Sequence, residues 1–387
     1  MNVCIFVEAL PVHIIGGITI HIQELINGLI SRGHYVTVIT TRHPENIGFE
    51  RKNNLDIYYI NEKLFPSGNF FYESMKLFTK LNRNTKFDIV HSQENIAYGI
   101  AKYYPENVHL IVTIHGTPIN GINGILSIKP SLRSYIVTIP LLLKKHFIDY
   151  SLILKKANKI ITVSESLRND IRNQYKISNE KLITINNGVD TNLFKPFYNS
   201  NLKKTYRIKS NEKILLFVGR IEKQKGCESL LEILKELDND VKLLIVGEGS
   251  YLPHIKEMAK ELSITDRIIY SGQVLNEELP YYYAIGDVFV FPSLGREGLP
   301  FVVLEAMACG MPVVGNNSGG VKEIINNHNV GILIEFNTSK MKDEIIKLLE
   351  NKDVAKKIGE NARNKIITNF STDQMVNSTI KIYETFL

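Results

Sequence analysis

Residues 1–39 read MNVCIFVEALPVHIIGGITIHIQELINGLISRGHYVTVI. The apolar run VCIFV predicts a strand, and Gly16 and Gly17 close the loop that follows it. Apolar residues then recur at helical spacing over 18–30, and the run YVTVI predicts a second strand. A strand, a helix and a strand in this order indicate a parallel sheet with crossover helices.

This alternation recurs along the whole chain. In the first half, further strands are predicted at 57–60, 89–91, 110–114, 160–163 and 182–185. The second half has predicted strands at 214–218, 243–246, 268–270, 288–291, 312–314 and 331–334, helices at 229–237 and 301–308, and closing helical stretches at 341–367 and 372–386. The fold class is therefore α/β, with two Rossmann-like, doubly wound domains. Because ligands of such sheets bind beyond the carboxyl ends of the strands, we expect a site in a central cleft that both domains face.

The length of 387 residues suits two domains, and the apolar fraction of 44% lets each of them bury a core. Residues 196–212 are polar and rich in Lys and Asn, which is typical of a linker. We therefore predict an N-terminal domain over 1–195, this linker, and a C-terminal domain over 213–371.

The amino-acid composition indicates which cellular compartment and which binding partners to expect. The three cysteines lack the spacing of a metal site or a disulfide framework, which favours a reducing, cytoplasmic compartment. The first residues have no basic region before their apolar run, and no run of about 18 apolar residues occurs, so we expect neither a signal peptide nor a membrane span. The net charge of +6 arises in the first half, which suits either an anionic partner or a generally lysine-rich surface. No basic stripe is interleaved with aromatics, so nucleic acid is not an expected partner.

The most informative stretch is residues 291–310, FPSLGREGLPFVVLEAMACG. It leaves a strand, passes a Gly/Pro loop holding Glu297, and enters a helix near Pro300. Glu305 lies on that helix among apolar neighbours, where a carboxylate is costly without a partner. Its two oxygens suit the hydroxyls of a ribose, and amides at a helix start favour a phosphate. Alternatively, Glu305 is satisfied by a local hydrogen bond and Glu297 is solvated.

Two cations follow the first strand of the second series. Arg220 and Lys225 lie in the loop GRIEKQKG, where they could neutralise a diphosphate and stabilise it as a leaving group. The alternative is a solvated basic turn.

The remaining candidates are weaker. Gly247 and Gly249 form a tight turn that does not complete the dinucleotide pattern GxGxxG, and no phosphate-binding GxxxxGK[ST] occurs. Gly16 and Gly17 could let the backbone approach a ligand closely or could be a plain turn. His115 follows a predicted strand and could face the site or be a satisfied strand-end histidine.

Asp238-Asn239-Asp240 has the form of a DxD metal-diphosphate motif. It lies between a predicted helix and a predicted strand, where Asp and Asn make turns. We interpret it as a turn and predict no metal site.

In this order and spacing, three motifs resemble the retaining glycosyltransferases of family 4, which have the GT-B fold. They are the E-x7-E pair Glu297/Glu305, the G-R-x4-K-G run at 219–226 and the A-C-G-M-P-V-V run at 308–314. The similarity extends over nearly the whole chain and is strongest over 214–335. It implies a nucleotide-sugar donor, a uracil base more often than guanine, no metal, and a final helix at about 372–387 that crosses back to the first domain.

The resemblance also implies a role for each candidate. Arg220 and Lys225 would hold the diphosphate, Glu305 the ribose, and Glu297 and His115 the transferred sugar. Gly16 and Gly17 would pack against the phosphate and the acceptor side, and the base would lie near Gly247, Gly249 and Val274. Backbone groups would help Glu297 to bind the sugar at Gly298, Leu299, Pro300 and Phe301. Retention would proceed by front-face attack, with a donor phosphate oxygen taking the acceptor's proton, so no protein base is required. His115 is followed by Gly116 where many members have an acid, and we assign no acidic base there.

Residues 129–156 are basic and amphipathic, with an apolar helical face over 132–147 and only Asp149 opposing the lysines. This segment could dock on anionic lipid at the inner membrane face, or it could pack on its own sheet.

The leading prediction is transfer of a hexose or N-acetylhexosamine from a nucleotide diphosphate sugar, with a UDP-sugar favoured, to a hydroxyl acceptor such as a lipid or a cell-surface glycan precursor. A sugar-nucleotide epimerase of the same fold and a non-catalytic nucleotide-sugar binder are the alternatives.

Overall fold

The chain divides into two units after Asn187, with residues 1–187 and 372–387 in the first and residues 188–371 in the second. The computed structural model describes residues 1–62, 69–103, 108–116, 139–197 and 200–387, with the main chain alone at 139–147 and 200. The stretch 188–212, which includes the predicted linker, is grouped with the second unit.

The first unit is built on one sheet, whose described strands are ordered β3-β4-β2-β1-β5-β6-β7-β8. All neighbours are parallel except β3 and β4, which pair antiparallel. The strand order reverses between β1 and β5, which is where such sheets bind ligands. The strands are β1 (Asn2–Phe6), β2 (Tyr35–Thr40), β3 (Phe49–Lys52), β4 (Leu55–Tyr59), β5 (Ile89–Gln93), β6 (His109–Ile114), β7 (Lys159–Thr162) and β8 (Leu182–Thr184).

Helices cover this sheet. They are α1 (Gly17–Ser31), α2 (Asn69–Thr85), α3 (Tyr98–Tyr103), α4 (Ile139–Lys156) and α5 (Glu165–Tyr175). On α1 the apolar spacing places Ile22, Leu25, Ile26 and Leu29 at 0–1% exposure. Full burial of each such side chain contributes about 1.5–3 kcal/mol relative to exposure, which explains why this segment is a helix packed on the sheet.

The last helix of the chain, Thr372–Glu384, belongs to the first unit. It packs so closely on α1 that a Cβ added to Gly28 would lie 2.4 Å from the Cγ2 atom of Val376. Arg32 also donates to Asp373 at 2.7 Å and to Asn377 at 2.9 Å.

The second unit is built on a parallel sheet ordered β11-β10-β9-β12-β13-β14 among the described residues. Its strand order reverses between β9 and β12. Apolar residues are buried on both faces of its strands, as expected of a parallel sheet covered by helices. The strands are β9 (Lys213–Val218), β10 (Val241–Val246), β11 (Ile268–Gly272), β12 (Val288–Phe291), β13 (Val313–Asn316) and β14 (Ile332–Ile334).

The remaining helices are those of the second unit and the last helix of the chain, which belongs to the first unit. They are α6 (Ser200–Thr205), α7 (Cys227–Glu236), α8 (Leu252–Glu261), α9 (Leu279–Tyr283), α10 (Phe301–Ala308), α11 (Val321–Ile324), α12 (Thr338–Glu350), α13 (Lys352–Asn369) and, in the first unit, α14 (Thr372–Glu384). The single helical stretch predicted over 341–367 is wrong. The chain breaks at Asn351, whose side chain accepts from the Val354 amide at 3.1 Å and starts α13 as an N-cap.

Two sequence interpretations concern segments outside these sheets. Within the predicted amphipathic segment, residues 129–138 lie outside the described residues, and α4 is described from Ile139 onward. Asp238 and Asp240 lie in the turn between α7 and β10, where the Val241 amide donates to the Asp238 carbonyl at 3.0 Å. Across the part of the chain that is described, no helix combines the length and the apolar character needed to span a membrane.

Candidate active site

The carboxyl ends of the second unit's strands gather most of the predicted site residues on one edge of one sheet. Arg220 and Lys225 follow β9, Gly247 and Gly249 follow β10, and Val274 follows β11. Glu297 and the residues up to Phe301 follow β12. Because β9 and β12 are the neighbours at which the strand order reverses, the two cations and the two glutamates lie at the switch point of the sheet.

The loop after β9 is fixed by backbone geometry that only glycine allows. Gly226 has φ 72°, and a Cβ there would lie 2.2 Å from the Pro292 carbonyl oxygen. This close approach brings the loop after β9 against the loop after β12. A short 3₁₀ turn, Lys223–Lys225, precedes Gly226 and carries the second cation.

Lys225 and Glu297 form an ion pair, with 2.7 Å between Nζ and Oε1. The Ser293 hydroxyl donates to the same carboxylate oxygen, also at 2.7 Å. Both partners of the pair are about one-fifth exposed (20% and 21%), so the pair is partly shielded from water and open on one side. The cation predicted to hold a diphosphate and the carboxylate predicted to hold a sugar are therefore in direct contact.

The main chain around Glu297 is held on both sides. Its carbonyl accepts from the Gly320 amide at 2.9 Å, and the Gln224 carbonyl accepts from the amides of Leu294 and Gly295 at 2.8 and 3.2 Å. Hydrogen bonds from two neighbouring loops thus set the position of this carboxylate before any ligand binds. Preorganisation of this kind is what an electrostatic site requires.

Arg220 differs from Lys225 in its surroundings. It is exposed, and among the described residues its guanidinium makes neither a hydrogen bond nor an ion pair. An exposed guanidinium can bind a phosphate bidentately without first breaking an internal contact.

The segment 298–301 leads into α10, which begins at Phe301 with Pro300 as N-cap. Leu299, Pro300 and Phe301 are buried, and Gly298 is half-buried. The Val303 and Leu304 amides donate to the Pro300 carbonyl at 3.2 and 3.4 Å. No described residue accepts from the Phe301 and Val302 amides, so these two can serve an anion at this end.

Glu305, in the second turn of α10, is 1% exposed. Its Oε2 atom accepts from the Tyr283 hydroxyl at 2.7 Å. Burial raises the pKa of the Glu305 carboxyl to about 7, and the hydrogen bond from Tyr283 opposes part of that rise. The carboxyl is therefore satisfied locally by a tyrosine, and its burial favours the protonated form.

Gly247 and Gly249 are required by the protein's own backbone. A Cβ on Gly247 would lie 2.1 Å from the Gly219 carbonyl oxygen, and one on Gly249 would lie 2.2 Å from the Ile221 carbonyl oxygen. This turn therefore packs directly on the loop that carries Arg220. Val274 is half-buried beyond the end of β11.

Gly16, Gly17 and His115 lie in the first unit, at the carboxyl ends of β1 and β6. Gly16 is extended, with φ −173° and ψ 168°, and Gly17 begins α1. An added Cβ at Gly16 would meet nothing within 4 Å, so this glycine borders open space.

This contrast between glycines makes a prediction. The family resemblance implies a donor contact at Gly16, and Gly16→Ala tests that expectation: the variant should change the thermal unfolding midpoint little and weaken donor binding by roughly 10-fold, because its methyl group fills the open space beside the main chain. Gly249→Ala, the matched change, should lower the unfolding midpoint because its methyl group meets backbone. Differential scanning calorimetry and isothermal titration with a UDP-sugar test both variants, and full donor affinity in Gly16→Ala would contradict the role given to Gly16.

Several residues of these sites carried no motif in the sequence. Ser293 and Tyr283 bind the two glutamates, and Gln93 binds His115, with 2.7 Å between Oε1 and the imidazole Nε2. Glu94 follows Gln93 with φ 56° and is half-buried. The only sequence signal for Gln93 and Glu94 is that polar residues end the buried strand β5 and directly follow it.

Comparison with known proteins places the chain. Residues 15–193 match the family Glycosyltransferase Family 4, and residues 199–365 match the family Glycosyl transferases group 1. N-acetyl-alpha-D-glucosaminyl L-malate synthase of Bacillus anthracis is 27% identical over 382 residues, which are 95% of this chain and 94% of that protein. Alpha-monoglucosyldiacylglycerol synthase of Streptococcus pneumoniae is 27% identical over 335 residues, which are 82% of this chain and 72% of that protein.

The fold is shared with solved structures. Sucrose-phosphate synthase from Thermosynechococcus elongatus superimposes with a TM-score of 0.84 at 19% identity, over 99% of this chain and 98% of that one. Two glycosyltransferase family matches that follow each other along the chain agree with the two α/β units and with the motifs at the second sheet's edge. The chain therefore belongs to the family 4 glycosyltransferases and has their GT-B fold.

Proposed function

We propose that this glycosyltransferase moves a hexose or an N-acetylhexosamine from a nucleotide diphosphate sugar to a hydroxyl acceptor, with retention of the anomeric configuration. The observation that carries the proposal is the cluster at the switch point of the second sheet, where exposed Arg220 lies in the same loop as the Lys225–Glu297 pair. Two cations in one loop suit a diphosphate leaving group, and a preorganised carboxylate suits a sugar hydroxyl.

Each group has a defined task in this reaction. Arg220 and Lys225 neutralise the diphosphate, and their charges take the place that a metal holds in other transferases. The acceptor oxygen bonds to the anomeric carbon while the bond from that carbon to the phosphate oxygen breaks. The acceptor's proton passes to the departing diphosphate on the same face. Glu297 and His115 orient the sugar, so their contribution is positioning and electrostatic.

The nucleoside is assigned to the edge of the sheet beyond β10 and β11. Gly247, Gly249 and Val274 would border the base, and Glu305 would accept from the ribose hydroxyls. The family resemblance favours uracil as the base to test first.

The acceptor is a hydroxyl group whose carrier differs among the relatives. One relative is named for L-malate and another for diacylglycerol. We propose a lipid or a cell-surface glycan precursor here, because lysines surround a surface cavity of the first unit.

Titration calorimetry in the presence of a chelator tests the function. UDP and GDP are titrated first and their sugars second, and sugar transfer is followed by nucleotide release. We expect UDP to bind without metal and Arg220→Ala to abolish binding. Absence of binding by either nucleotide to the folded chain would overturn the proposal. Binding that requires a divalent metal would overturn the part of the proposal that assigns the role of the metal to Arg220 and Lys225.

Proton release on binding is a further expectation. Burial holds the pKa of the Glu305 carboxyl at about 7 in the free chain, and ribose hydroxyls donating to it would lower that pKa. UDP-glucose binding should therefore release roughly one proton at pH 6, and affinity should rise with pH up to about 7 and then level off. UDP-glucose itself does not titrate in this range.

Calorimetry in two buffers of different ionisation enthalpy measures the released protons. Glu305→Gln, which keeps an oxygen acceptor, should bind without proton release and without the pH dependence. Equal proton release by the parent chain and this variant would contradict the proposal that Glu305 binds the ribose hydroxyls.

We also propose that the first unit docks on anionic lipid on the cytoplasmic side of a membrane. A cavity of about 710 Å³ between α4 and α5 is lined by Ile148, Ser151, Leu152, Lys155, Lys156, Gln174, Tyr175 and Lys176. Its lining includes three lysines and no carboxylate, and Ile148 is 52% exposed. Asp149 is buried at 6% exposure, so it does not lie on this surface. Lysines around an apolar surface suit an anionic headgroup and its acyl chain.

Vesicle co-sedimentation at low salt tests this contact. The chain should pellet with phosphatidylglycerol vesicles and not with phosphatidylcholine vesicles. Lys155→Glu, Lys156→Glu and Lys176→Glu combined should abolish pelleting, whereas the same charge change at exposed Lys352, Lys356 and Lys357 should not. Equal loss in both triple variants would leave only net charge as the cause and contradict a defined surface.

A further inference from the structure

A chain of buried side chains in the first unit connects the last helix to His115. The Tyr383 hydroxyl, on α14, lies 2.6 Å from Nδ1 of His91, and Nε2 of His91 lies 2.7 Å from the Thr113 hydroxyl. Gln93 lies between the two imidazoles, with its Nε2 3.4 Å from His91 Nε2 and its Oε1 2.7 Å from His115 Nε2. His91 and Gln93 share one face of β5 because they are two residues apart.

The orientation of the Gln93 amide fixes the protons along this chain. Its carbonyl oxygen can only accept, so Nε2 of His115 is the atom that carries the proton. Its amino group can only donate, so Nε2 of His91 is an acceptor. The Thr113 hydroxyl can donate to the same nitrogen. Nδ1 of His91 then donates to Tyr383.

The imidazoles in this cluster are neutral. Burial lowers the pKa of His91 to about 3 and that of His21 to about 4. Burial, followed by repulsion from these two rings, holds the pKa of His115 well below its ordinary value. The His21 ring packs edge-on against that of His115, with 4.6 Å between their centroids. A neutral ring has one donor and one acceptor nitrogen, so its tautomer decides what it offers a ligand.

The main chain of His115 is held by Glu94, which directly follows Gln93 at the end of β5. Oε1 of Glu94 accepts from the His115 amide at 2.7 Å, and Tyr150 donates to the other carboxylate oxygen. Glu94 has a left-handed backbone, with φ 56°, which is unfavourable for a residue with a side chain. Strain of this kind persists where surrounding contacts impose it, often beside functional groups.

We propose that Gln93 and Glu94 are positioning residues for His115, Glu94 fixing its main chain and Gln93 fixing its ring with the proton on Nε2. Nδ1 of His115 is left as an acceptor, and no described residue donates to it. It accepts a hydrogen bond from a hydroxyl of the transferred sugar. The role in transfer rests on the proposed function, whereas the tautomer is a property of the protein alone.

Long-range proton–nitrogen NMR of the full chain labelled with ¹⁵N-histidine tests the proposal without any ligand. The His115 signal is assigned by its loss in His115→Asn. We expect the proton on Nε2 of His115 in the parent chain. A proton on Nδ1, or a charged ring at pH 7, would overturn the proposal.

Variants then test the cause. Gln93→Met, which has similar length and no acceptor, should give a mixed His115 tautomer and lower kcat by roughly 10- to 100-fold, with KM changed less than about twofold. Gln93→Glu keeps the acceptor and should retain the Nε2 proton and most of kcat. Thr113→Val removes a donor to His91 alone and should leave His115 unchanged.

An unchanged His115 tautomer in Gln93→Met would also overturn the proposal. If the tautomers behave as expected while the parent chain transfers no sugar, the proposed function fails and the positioning of His115 stands. If Gln93→Met does not fold, the parent spectrum and the Gln93→Glu spectrum still decide the tautomer.

Discussion

Lys225→Met is expected to lower kcat/KM for sugar transfer by roughly 10²- to 10³-fold. In the proposed reaction, negative charge grows on the diphosphate as its bond to the sugar breaks. A cation held in place by a rigid turn stabilises that charge without reorganising, and methionine keeps the length of the side chain but not the charge. Initial rates of nucleotide release over a range of donor concentrations measure the effect.

Lys223→Met is the matched control for this variant. Lys223 lies in the same 3₁₀ turn, two residues earlier, and is exposed. It should lose charge without losing activity. Equal kinetics for the two variants would mean that the net charge of the loop matters and that the position of Lys225 does not.

Glu297→Gln is expected to change binding and turnover in opposite directions. In the free chain Lys225 is engaged by Glu297, so an arriving diphosphate must compete with a carboxylate for that cation. Glutamine removes the competitor, and UDP should bind about 3- to 10-fold more tightly, in keeping with the roughly 1 kcal/mol of a partly exposed ion pair. Turnover should fall by about 10²-fold, because a neutral amide holds a sugar hydroxyl less firmly than a carboxylate does.

Titration calorimetry with UDP and initial-rate kinetics with the UDP-sugar measure the two effects separately. Glu350→Gln, an exposed carboxylate at the end of α12, is the control and should change neither quantity. Unchanged UDP affinity in Glu297→Gln would show that the Lys225 pair does not oppose nucleotide binding.

Periodicity predicted the parallel strands well, because each buried strand is a continuous apolar run between turn residues. It missed β3, whose residues FERK are largely exposed. An edge strand with water on both sides needs no apolar pattern, so nothing in its composition marks it. It also merged α12 and α13, because both helices bury one face and the break depends on a single capping residue, Asn351.

The candidate site could be proposed from the sequence where the expected chemistry calls for particular residue types in a set order. Arg220, Lys225, Glu297 and Glu305 were identified from two short motifs, and the sheet topology places their loops at one switch point. The direct pairing of Lys225 with Glu297 was not predictable, because it joins residues 72 positions apart. The partner of Glu305 was hidden for the same reason, since Tyr283 comes from a different helix.

The position of α14 in the first unit bears on how the chain is synthesised. A ribosome makes residues 1–187 first and then all of 188–371 before it reaches this helix. At about 5–20 residues per second, the nascent first unit waits roughly 10–40 s for Val376 and Tyr383. During that interval the groove over Gly28 is uncovered and His91 lacks its tyrosine partner. The second unit, whose residues are contiguous, can complete its core earlier, so the unit that begins the chain is the last to mature.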